Sequence, residues 1–491
     1  MDKIKYYVSE FNRDDEEFIK NDVDNAHVEE WMKNEVPVFE CPDGDIERAY
    51  YFRFWTYRKH IKSTPDGVVI TEFLPQVGWS GEHNTINAPV GHHLYEGRWL
   101  RHAERYLDSY IRFFLTVSHH SHSYSAWLAD GIYKYAAVRG CLETEEGLLE
   151  ALDRYFAEWE QTHGLPDGSF WSVDDRDAME LSVSGTDESM KMKRGVRPTL
   201  NSYMCADAYA IAMLAKHSGN AELEAKYRKK HEALKRFINE NLYEDGFFRA
   251  YHYYDDEEPT LAVRRKGVSP RELIGYIPFM FDIPWAGREG CFDLLMKPDS
   301  FYSEYGLTTV ERSNPRYLYP ADHECKWNGF VWPFATSQTL TGLKNVACAT
   351  GEKKYKEAFC TLLSQYARMH KRVTEDGRTV SWIDEVMDPR DGDWYSRTKL
   401  KEKGWNQGAG GYERGKDYNH STFCDLVISG ICGVSARNGE IHVDPIIPDE
   451  WDYFRLTGVV VCGKEYDIVY DKTGDRYGLG AGLTVRETGR L

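Results

Sequence analysis

The sequence predicts an all-α protein, a toroid of antiparallel helical hairpins that carries a small C-terminal β appendage. Three observations predict it. Apolar residues recur at helical spacing through most of residues 45–435. The connections between these stretches alternate between short turns and long polar loops, as hairpins arranged around one functional end require. After residue 435 the apolar pattern changes to period two, which is typical of strands. We therefore divide the chain into a lead-in (1–44), a helical unit (45–435) and a β appendage (436–491).

The helical stretches are predicted from periodicity and from Gly, Pro and Asp at their ends. The first clear helical periodicity begins at Asp45, which is predicted to be the N-cap. A segment with weaker periodicity precedes it. Eleven or twelve helices are expected in all, with the least regular pattern between residues 270 and 297. The stretches assigned in chain order are 24–33, 45–60, 91–117, 123–139, 144–162, 199–218, 221–241, 327–349, 352–369 and 421–433.

The β appendage is predicted from four short alternating runs, residues 440–445, 454–461, 464–471 and 482–486. Turn residues separate them, at Gly463 and at residues 472–475.

Composition excludes several classes of partner. The formal net charge of the 491 residues is −18, whereas nucleic acid and anionic membranes require a basic surface. The ten cysteines form no Cys-x-x-Cys pair and no zinc-type cluster, so reduced thiols are expected. The N-terminus lacks an apolar signal segment and no run is apolar enough to span a membrane, which predicts a cytoplasmic protein. The sequence leaves open whether copies of the chain form a homo-oligomer.

The polar loop from Gly168 to Glu180 contains several side chains of the kinds used in catalysis and ligand binding. It holds one indole, one guanidinium and several carboxylates within ten positions. Carboxylates supply proton transfer and an indole supplies a stacking face, which suits a polyhydroxylated ligand. The alternative is a solvated acidic turn. The residues concerned are Trp171, Asp174, Asp175, Arg176, Asp177 and Glu180.

A second acidic segment, Asp384–Glu385, lies in another long loop at the same predicted end of the toroid. Hydrolysis of a glycosidic bond needs one carboxylic acid that protonates the leaving oxygen and one carboxylate that activates water or attacks C1. The two segments together supply this pair. The acidic run Asp388–Asp393 lacks the spacing and the distal Glu of a calcium loop, so no metal is expected.

The order of these motifs resembles the six-hairpin glycosidases, in particular the mannosylglycerate-hydrolase-like branch of glycoside hydrolase family 63. The resemblance spans roughly residues 45–435, and the most specific segment is Trp327-Asn-Gly-Phe-Val-Trp-Pro333. The other segments that carry it are Thr71–Gly81, Gly91–Trp99, Trp171–Arg176 and Asp384–Gly392.

The resemblance implies an (α/α)6 barrel, an inverting mechanism, no cofactor, and an α-glucoside or α-mannoside as substrate. It also implies that Glu385 is the general base, because Glu385, Asp388, Pro389 and Gly392 match the Glu-x-x-Asp-Pro-x-x-Gly-like segment of the family. The family places its general acid as the Asp of Trp-Asp-x-Ser-x-Arg, a position that Ser172 occupies when Arg176 is taken as the Arg. We therefore favour Asp175 as the acid, then Asp177, with Asp174 or Glu180 behind them.

Aromatic and polar residues of the long loops are the candidate substrate-binding residues. For any single tryptophan, including Trp99, a core position between helices remains the alternative. The candidates are Trp79, His92, His93, Glu96, Arg98, Trp171, Arg176, Glu180, Trp327, Asn328, Trp332, Trp382, Lys416 and His420.

Three other functions remain open at this point. A sugar epimerase or isomerase of the same fold would use histidines such as His92, His93, His323 and His420 as acid and base. A glycoside phosphorylase would bind phosphate near Arg194, Arg197 or Lys416. A toroid that binds sugar without catalysis is the third.

Overall fold

The computed structural model describes residues 2–143, 147–187, 189–252, 270–406, 408 and 410–490. Across these ranges the chain is rich in helix and ends in a small antiparallel sheet. Within the described ranges, no helix combines the length and the apolar character needed to cross a lipid bilayer.

The described helices follow the apolar periodicity of the sequence. Their bounds are α1 Lys3–Arg13, α2 Val28–Glu35, α3 Gly44–His60, α4 Val90–Gly97, α5 Glu104–Thr116, α6 Leu128–Arg139, α7 Leu148–His163, α8 Pro198–His217, α9 Ala221–Phe237, α10 Ile277–Met280, α11 Pro333–Thr350, α12 Lys353–Met369, α13 Tyr395–Glu402 and α14 Cys424–Leu426. The strands are short except near the C-terminus. Their bounds are β1 Val38–Glu40, β2 Ile61–Thr64, β3 Gly67–Ile70, β4 Gly195–Val196, β5 Tyr243–Glu244, β6 Phe247–Phe248, β7 Tyr251–His252, β8 Lys371–Val373, β9 Thr379–Ser381, β10 Val434–Arg437, β11 Glu440–Val443, β12 Tyr453–Val461, β13 Lys464–Asp471 and β14 Gly482–Arg490.

Most predicted helices are confirmed, with shifts at their ends. The N-cap of α3 is Asp43 rather than Asp45, because the Asp43 carboxylate accepts hydrogen bonds from the backbone N–H groups of Asp45 and Ile46. The predicted helix at 144–162 is α7, and residues 144–146 lie outside the described residues. The predicted helix at 421–433 is reduced to α14 and a short π-helical segment, Val427–Ile431.

The single helix predicted for residues 91–117 is wrong, because the chain forms two helices there. α4 ends at Gly97 and α5 begins at Glu104, with turns between them. Gly97 lies against the Tyr57 hydroxyl, and a Cβ atom at this position would lie 2.3 Å from that oxygen. The close contact with α3 therefore requires glycine where α4 ends.

Tightly connected helix pairs form much of the core. The three-residue connection Ser218–Asn220 turns α8 back onto α9, and α11 packs against α12 after the turn at Gly351. Gly351 has a φ of 68°, a left-handed conformation that glycine adopts without strain. These pairs are the helical hairpins that the alternating connections predict.

The C-terminal sheet has four antiparallel strands in the order β1-β12-β13-β14. The predicted strands at 454–461, 464–471 and 482–486 are confirmed as β12, β13 and β14. The edge strand β1 comes from the N-terminal segment, where Val38 pairs with Thr457 and Glu40 with Arg455. This pairing was not predicted, since three residues carry too little pattern to identify a strand.

The N-terminal segment also contacts the polar loops through buried ion pairs. Asp15 pairs with Lys59 of α3 and with Lys416, each at 2.7 Å, and Lys59 also pairs with Asp417 at 2.7 Å. All four side chains are almost completely buried. Because a buried charge needs a partner, this network fixes the loop that contains Lys416 against α3.

Candidate active site

The long loops meet in one pocket that combines carboxylates with aromatic walls. Five of the residues predicted from sequence line it, including Glu180 and Glu385. The lining residues are Glu72, Phe73, Trp79, Ile86, Ala88, Tyr124, Ala178, Glu180, Cys325, Trp332, Phe334, Glu385, Tyr418 and His420.

Glu180 reaches this pocket because its loop is folded tightly around a buried carboxylate. Asp174 accepts hydrogen bonds from the backbone N–H groups of Asp175 at 3.0 Å and Ser182 at 3.1 Å. Ala178 and Leu181 adopt left-handed conformations, with φ of 57° and 60°, so the chain turns sharply on both sides of Glu180. The Glu180 carbonyl accepts a hydrogen bond of 2.9 Å from the backbone N–H of Trp327.

The environment of Glu180 favours its protonated form. Burial, together with the nearby charges of Asp175 and Glu385, raises the pKa of Glu180 to about 8. A carboxyl group with this pKa keeps its proton at neutral pH and can donate it to a substrate.

Hydrogen bonds at Glu385 and at Met387 fix the position of the Glu385 segment. Its backbone N–H donates to Asp384 Oδ1 at 2.9 Å, and two residues later Met387 exchanges backbone hydrogen bonds of 2.9 and 3.0 Å with Val331. These contacts bring the acidic segment beside the Trp-Asn-Gly stretch predicted to lie at the same end. The Glu385 side chain is therefore fixed in the pocket by backbone geometry on either side of it.

The Glu385 carboxylate has a cationic partner. Arg414 Nη2 lies 2.9 Å from Glu385 Oε2, and the Cys325 thiol lies 3.6 Å from the same oxygen. Burial raises the pKa of Glu385, whereas the Arg414 guanidinium opposes this rise. Glu180 and Glu385 thus share one pocket, but an arginine side chain is paired with Glu385.

A third carboxyl group, Glu72, lines the same pocket. The Tyr418 hydroxyl donates to Glu72 Oε1, and burial raises the pKa of Glu72 to about 8. The Tyr418 ring lies against the His420 imidazole, with the ring centroids 3.6 Å apart. His420 is fully buried, and neither of its ring nitrogens has a hydrogen-bond partner among the described residues.

Aromatic rings form the remaining walls. Trp332 stacks on Trp327 with centroids 4.5 Å apart and an interplanar angle of 20°. Trp327 therefore packs behind Trp332 and does not itself line the pocket. Trp79 lies at the rim, where 39% of it is exposed. An exposed indole above buried carboxylates suits the apolar face of a sugar ring.

The favoured acids Asp175 and Asp177 do not line the pocket. Asp177 is buried, and its carboxylate accepts hydrogen bonds from Arg197 Nε at 2.6 Å, from Ser125 Oγ at 2.6 Å and from the Thr199 hydroxyl. Asp175 is exposed on a short 3-10 turn that runs from Asp175 to Asp177. The geometry therefore favours Glu180 over both aspartates as proton donor.

The polar residues of α4 serve packing rather than the pocket surface. The Glu96 carboxylate accepts the backbone N–H groups of Phe423, Cys424 and Asp425, which begin α14. Arg98 pairs with Asp425 at 2.5 Å. These contacts join the start of α14 to α4.

The two histidines of α4 are also buried away from the pocket lining. His93 contacts the Tyr110 hydroxyl at 2.7 Å and the Asn419 carbonyl at 2.6 Å. His92 lies between the rings of Trp127 and Phe334, and within the described part of the chain neither of its nitrogens has a hydrogen-bond partner. Of the histidines that an epimerase would use, His420 is the one that lines the pocket.

The remaining predicted residues lie around the pocket or in other cavities. Asn328 donates to the Tyr319 carbonyl at 2.8 Å. Trp382 is buried, with the Arg397 guanidinium 4.5 Å from its ring centroid, and Lys416 belongs to the Asp15 network. Trp171 and Arg176 line a separate cavity.

Two features of the site were missed or undervalued in the sequence. Glu72 and Tyr418 were not singled out, and the 346 positions between them leave no local signal of their contact. Glu180 was ranked with Asp174, below Asp175 and Asp177, although Glu180-Leu181-Ser182 has the acid-x-Ser spacing of the family motif. Anchoring that motif on Arg176 concealed this match.

Comparison with known proteins identifies the family of the chain. Residues 82–421 match the family model described as the mannosylglycerate hydrolase MGH1-like glycoside hydrolase domain, and residues 434–491 match the glycosyl hydrolase family 65 C-terminal domain. No curated protein matches the chain.

Two solved structures share the fold described above. A protein titled "Sialidase" is 33% identical with a TM-score of 0.86, and the match covers 99% of this chain but 43% of that protein. The GH78 family rhamnosidase of a Bacillus species is 11% identical with a TM-score of 0.55, over 89% of this chain and 40% of that one. The chain thus spans less than half the length of these two proteins.

A GH63 mannosylglycerate hydrolase from Thermus thermophilus aligns at 10% identity with a TM-score of 0.38, over 77% of this chain and 98% of that one, which is too low to support an argument. The family assignment rests on the domain model, which matches well over half of the residues. The chain belongs to the MGH1-like family of glycoside hydrolases.

Proposed function

We propose that the protein hydrolyses a small α-linked glucoside or mannoside with inversion at C1, with Glu180 as general acid and Glu385 as general base. The observation that carries this proposal is that the two carboxyl groups line one pocket in different electrostatic settings. Two carboxyl groups whose environments separate their protonation states are what acid and base roles require.

The acid role falls to Glu180 because nothing cationic is paired with it among the contacts described, and burial raises its pKa to about 8. The proton of Glu180 passes to the glycosidic oxygen as the bond from C1 to that oxygen breaks. The leaving group departs as a neutral alcohol.

The base role falls to Glu385 because Arg414 stabilises its ionised form. Glu385 takes a proton from a water molecule, whose oxygen attacks C1 from the face opposite the leaving group. The products are the free sugar, of inverted anomeric configuration, and the alcohol. One proton leaves Glu180 and one arrives at Glu385, so the reaction needs no cofactor.

The rest of the pocket holds the sugar. Glu72 and His420 offer hydrogen-bonding groups on the buried side, and Trp79 and Trp332 offer rings. The ring nitrogens of the buried His420 can hydrogen-bond a sugar hydroxyl. We therefore propose a small neutral carbohydrate as the molecule that binds here.

We also propose that the helices from residue 45 to 435 close into an (α/α)6 barrel with the pocket at its long-loop end. The hairpins α8–α9 and α11–α12 and the convergence of distant loops on one pocket support this architecture. The sheet that includes residues 453–490 would form a separate unit, to which the lead-in contributes β1. The ten free cysteines support a reducing, cytoplasmic environment.

The test is a panel of α-glucosides and α-mannosides, with glucosylglycerate and mannosylglycerate included, incubated with and without phosphate. Proton NMR during the first minutes identifies the anomer released. We expect phosphate-independent release of the β-anomer from one or more of these α-glycosides. Release that requires phosphate would show a phosphorylase, and initial release of the α-anomer would show retention.

A further inference from the structure

A second cavity of about 410 Å³ is lined by the earlier part of the loop that carries Glu180. It shares no lining residue with the pocket described above. Its volume falls within the range of small-molecule sites. The lining residues are His122, Ser123, Ser125, Trp159, His163, Trp171, Ser172, Val173, Arg176 and Arg194.

The charge of this cavity is opposite to that of the protein. The described lining residues include two arginines and no carboxylate, whereas the whole chain carries a net charge of −18. Burial lowers the pKa of the lining histidines His122 and His163, so the positive charge comes from the arginines. The Glu158 carboxylate lies 3.5 Å from His122 Nδ1, but its side chain is 59% exposed and such pairs contribute little. A concave surface lined by one sign of charge attracts ligands of the other sign.

One wall of the cavity is prebuilt from stacked side chains. The Trp171 ring lies 4.8 Å from the His163 ring at an interplanar angle of 30°, and the Arg194 guanidinium lies 4.7 Å from the Trp171 centroid. A layer of this kind holds its donors in place before a ligand arrives, which reduces the entropy lost on binding.

Arg176 supplies an accessible guanidinium on the loop. Its Nη1 donates to the Ser123 carbonyl at 3.3 Å, and its guanidinium lies 5.9 Å from the Tyr124 ring centroid. This contact uses one of the five N–H groups that an arginine carries. The fork of a guanidinium matches carboxylate and phosphate oxygens. The Ser125 and Ser172 hydroxyls donate to the buried Asp177 carboxylate at 2.6 and 3.3 Å, so their oxygens remain available as hydrogen-bond acceptors.

We propose that this cavity binds a small hydroxylated anion, namely a sugar that carries a carboxylate or a phosphate. The two guanidinium groups select the charge, and the serine oxygens can accept hydrogen bonds from sugar hydroxyls. The site is separate from catalysis, so its ligand need not be a substrate.

Isothermal titration calorimetry at low salt tests the proposal. The probes are D-glucuronate, D-glucose 6-phosphate, inorganic phosphate and D-glucose, titrated into the full chain, Arg176→Ala, Glu385→Gln and the matched control Arg228→Ala, a surface arginine of α9. We expect one or both anionic sugars to bind about tenfold more weakly to Arg176→Ala, the loss of one charged hydrogen bond. Binding to Arg228→Ala and Glu385→Gln should not change, and added salt should weaken binding.

The pair of anionic sugars distinguishes the two ligand classes, since carboxylate and phosphate enter as separate titrations. Unchanged affinity of the anionic sugars in Arg176→Ala, loss of their binding in Glu385→Gln, D-glucose binding that depends equally on Arg176, or no binding of either anionic sugar would each overturn the proposal. Trp171→Leu, checked for folding by circular dichroism, provides a second variant that should weaken binding. Because no step requires turnover, failure here is distinguishable from failure of the proposed hydrolysis.

Discussion

Arg414 Nη2 lies 2.9 Å from Glu385 Oε2, and the two side chains are 1% and 2% exposed. Burial raises the pKa of the Glu385 carboxyl group, and the guanidinium of Arg414 limits this rise by stabilising the ionised form. Glu180 lines the same pocket without such a partner among its described contacts, and burial raises its pKa to about 8. This difference in partners supports the proposed acid and base roles.

Substitution of the base should abolish most of the hydrolysis. Glu385→Gln keeps the shape and loses the proton acceptor, so we expect kcat to fall by about 10²–10⁴-fold. Arg414→Lys should retain partial activity, and the acidic limb of the kcat/KM profile should move to higher pH because the Glu385 carboxylate is less stabilised. Steady-state kinetics from pH 4 to 9 measures both effects. Full activity of Glu385→Gln would exclude Glu385 as base.

Ionisation of Glu180 should determine how kcat/KM falls at high pH. Because burial and neighbouring carboxylates raise the pKa of Glu180 to about 8, wild-type kcat/KM should fall as pH rises through that value and Glu180 loses its proton. Glu180→Gln should lose most activity, and the remainder should show no such fall. A basic limb that persists unchanged in the variant would assign the titration to another group.

The two aspartates near Glu180 should differ in stability rather than in chemistry. Asp177→Asn leaves Arg197 buried without its charge partner, so the free energy of unfolding should fall by about 3–5 kcal/mol. Asp175→Asn, at an exposed position on the same turn, should change it by less than about 0.5 kcal/mol and retain most hydrolysis. Urea denaturation measures both. If Asp175→Asn abolished activity in a stable protein, the acid would have to be Asp175.

Ionisation of the buried Glu72 should reduce the free energy of unfolding at high pH. Burial raises its pKa from 4.5 to about 8, so the folded state keeps a proton that the unfolded chain loses near pH 4.5. The free energy of unfolding therefore falls as pH rises from about 4.5 to about 8. Glu72→Gln cannot ionise and should be more stable than wild type by about 1–3 kcal/mol at pH 8.5, with a smaller difference at pH 4.

Glu357→Gln is the matched control for this comparison, because the Glu357 side chain is exposed on α12. Thermal unfolding of the three proteins at pH 4 and pH 8.5 provides the measurement. A Glu72→Gln difference that did not grow between these pH values would show that Glu72 is ionised in the folded state.

The long helices could be predicted from the sequence because their pattern is local. α3, α8, α9 and α12 each show many turns of apolar periodicity, and their ends fall near Asp, Pro or Gly. The break between α4 and α5 could not be predicted in this way, since Gly97 is required by the Tyr57 hydroxyl of another helix. β1 was missed for the same reason, because its partner β12 lies more than 400 residues further along the chain.

Of the acidic residues that the sequence singled out, the structure places Glu180 and Glu385 in one pocket, whereas Asp175 and Asp177 lie outside its lining. Glu385 and the loop from Gly168 to Glu180 were found because their acidic and aromatic residues stand out in a helical chain. The choice among four acids depended on which side chain the fold brings to the pocket, since Asp174 and Asp177 are buried but do not line it. That depends on the left-handed turns at Ala178 and Leu181 and on Arg197, which pairs with Asp177. None of these contacts has a pattern in the sequence.

The most direct test of the account compares an alkyl glycoside with the corresponding glycosyl fluoride, which needs no protonation of its leaving group. For the sugar identified by the panel, Glu180→Gln should lose hydrolysis of the alkyl glycoside but retain much of its activity on the fluoride, whereas Glu385→Gln should lose both. Equal losses on the two substrates in Glu180→Gln, or fluoride hydrolysis by Glu385→Gln at the wild-type rate, would contradict the assignment of Glu180 as acid and Glu385 as base.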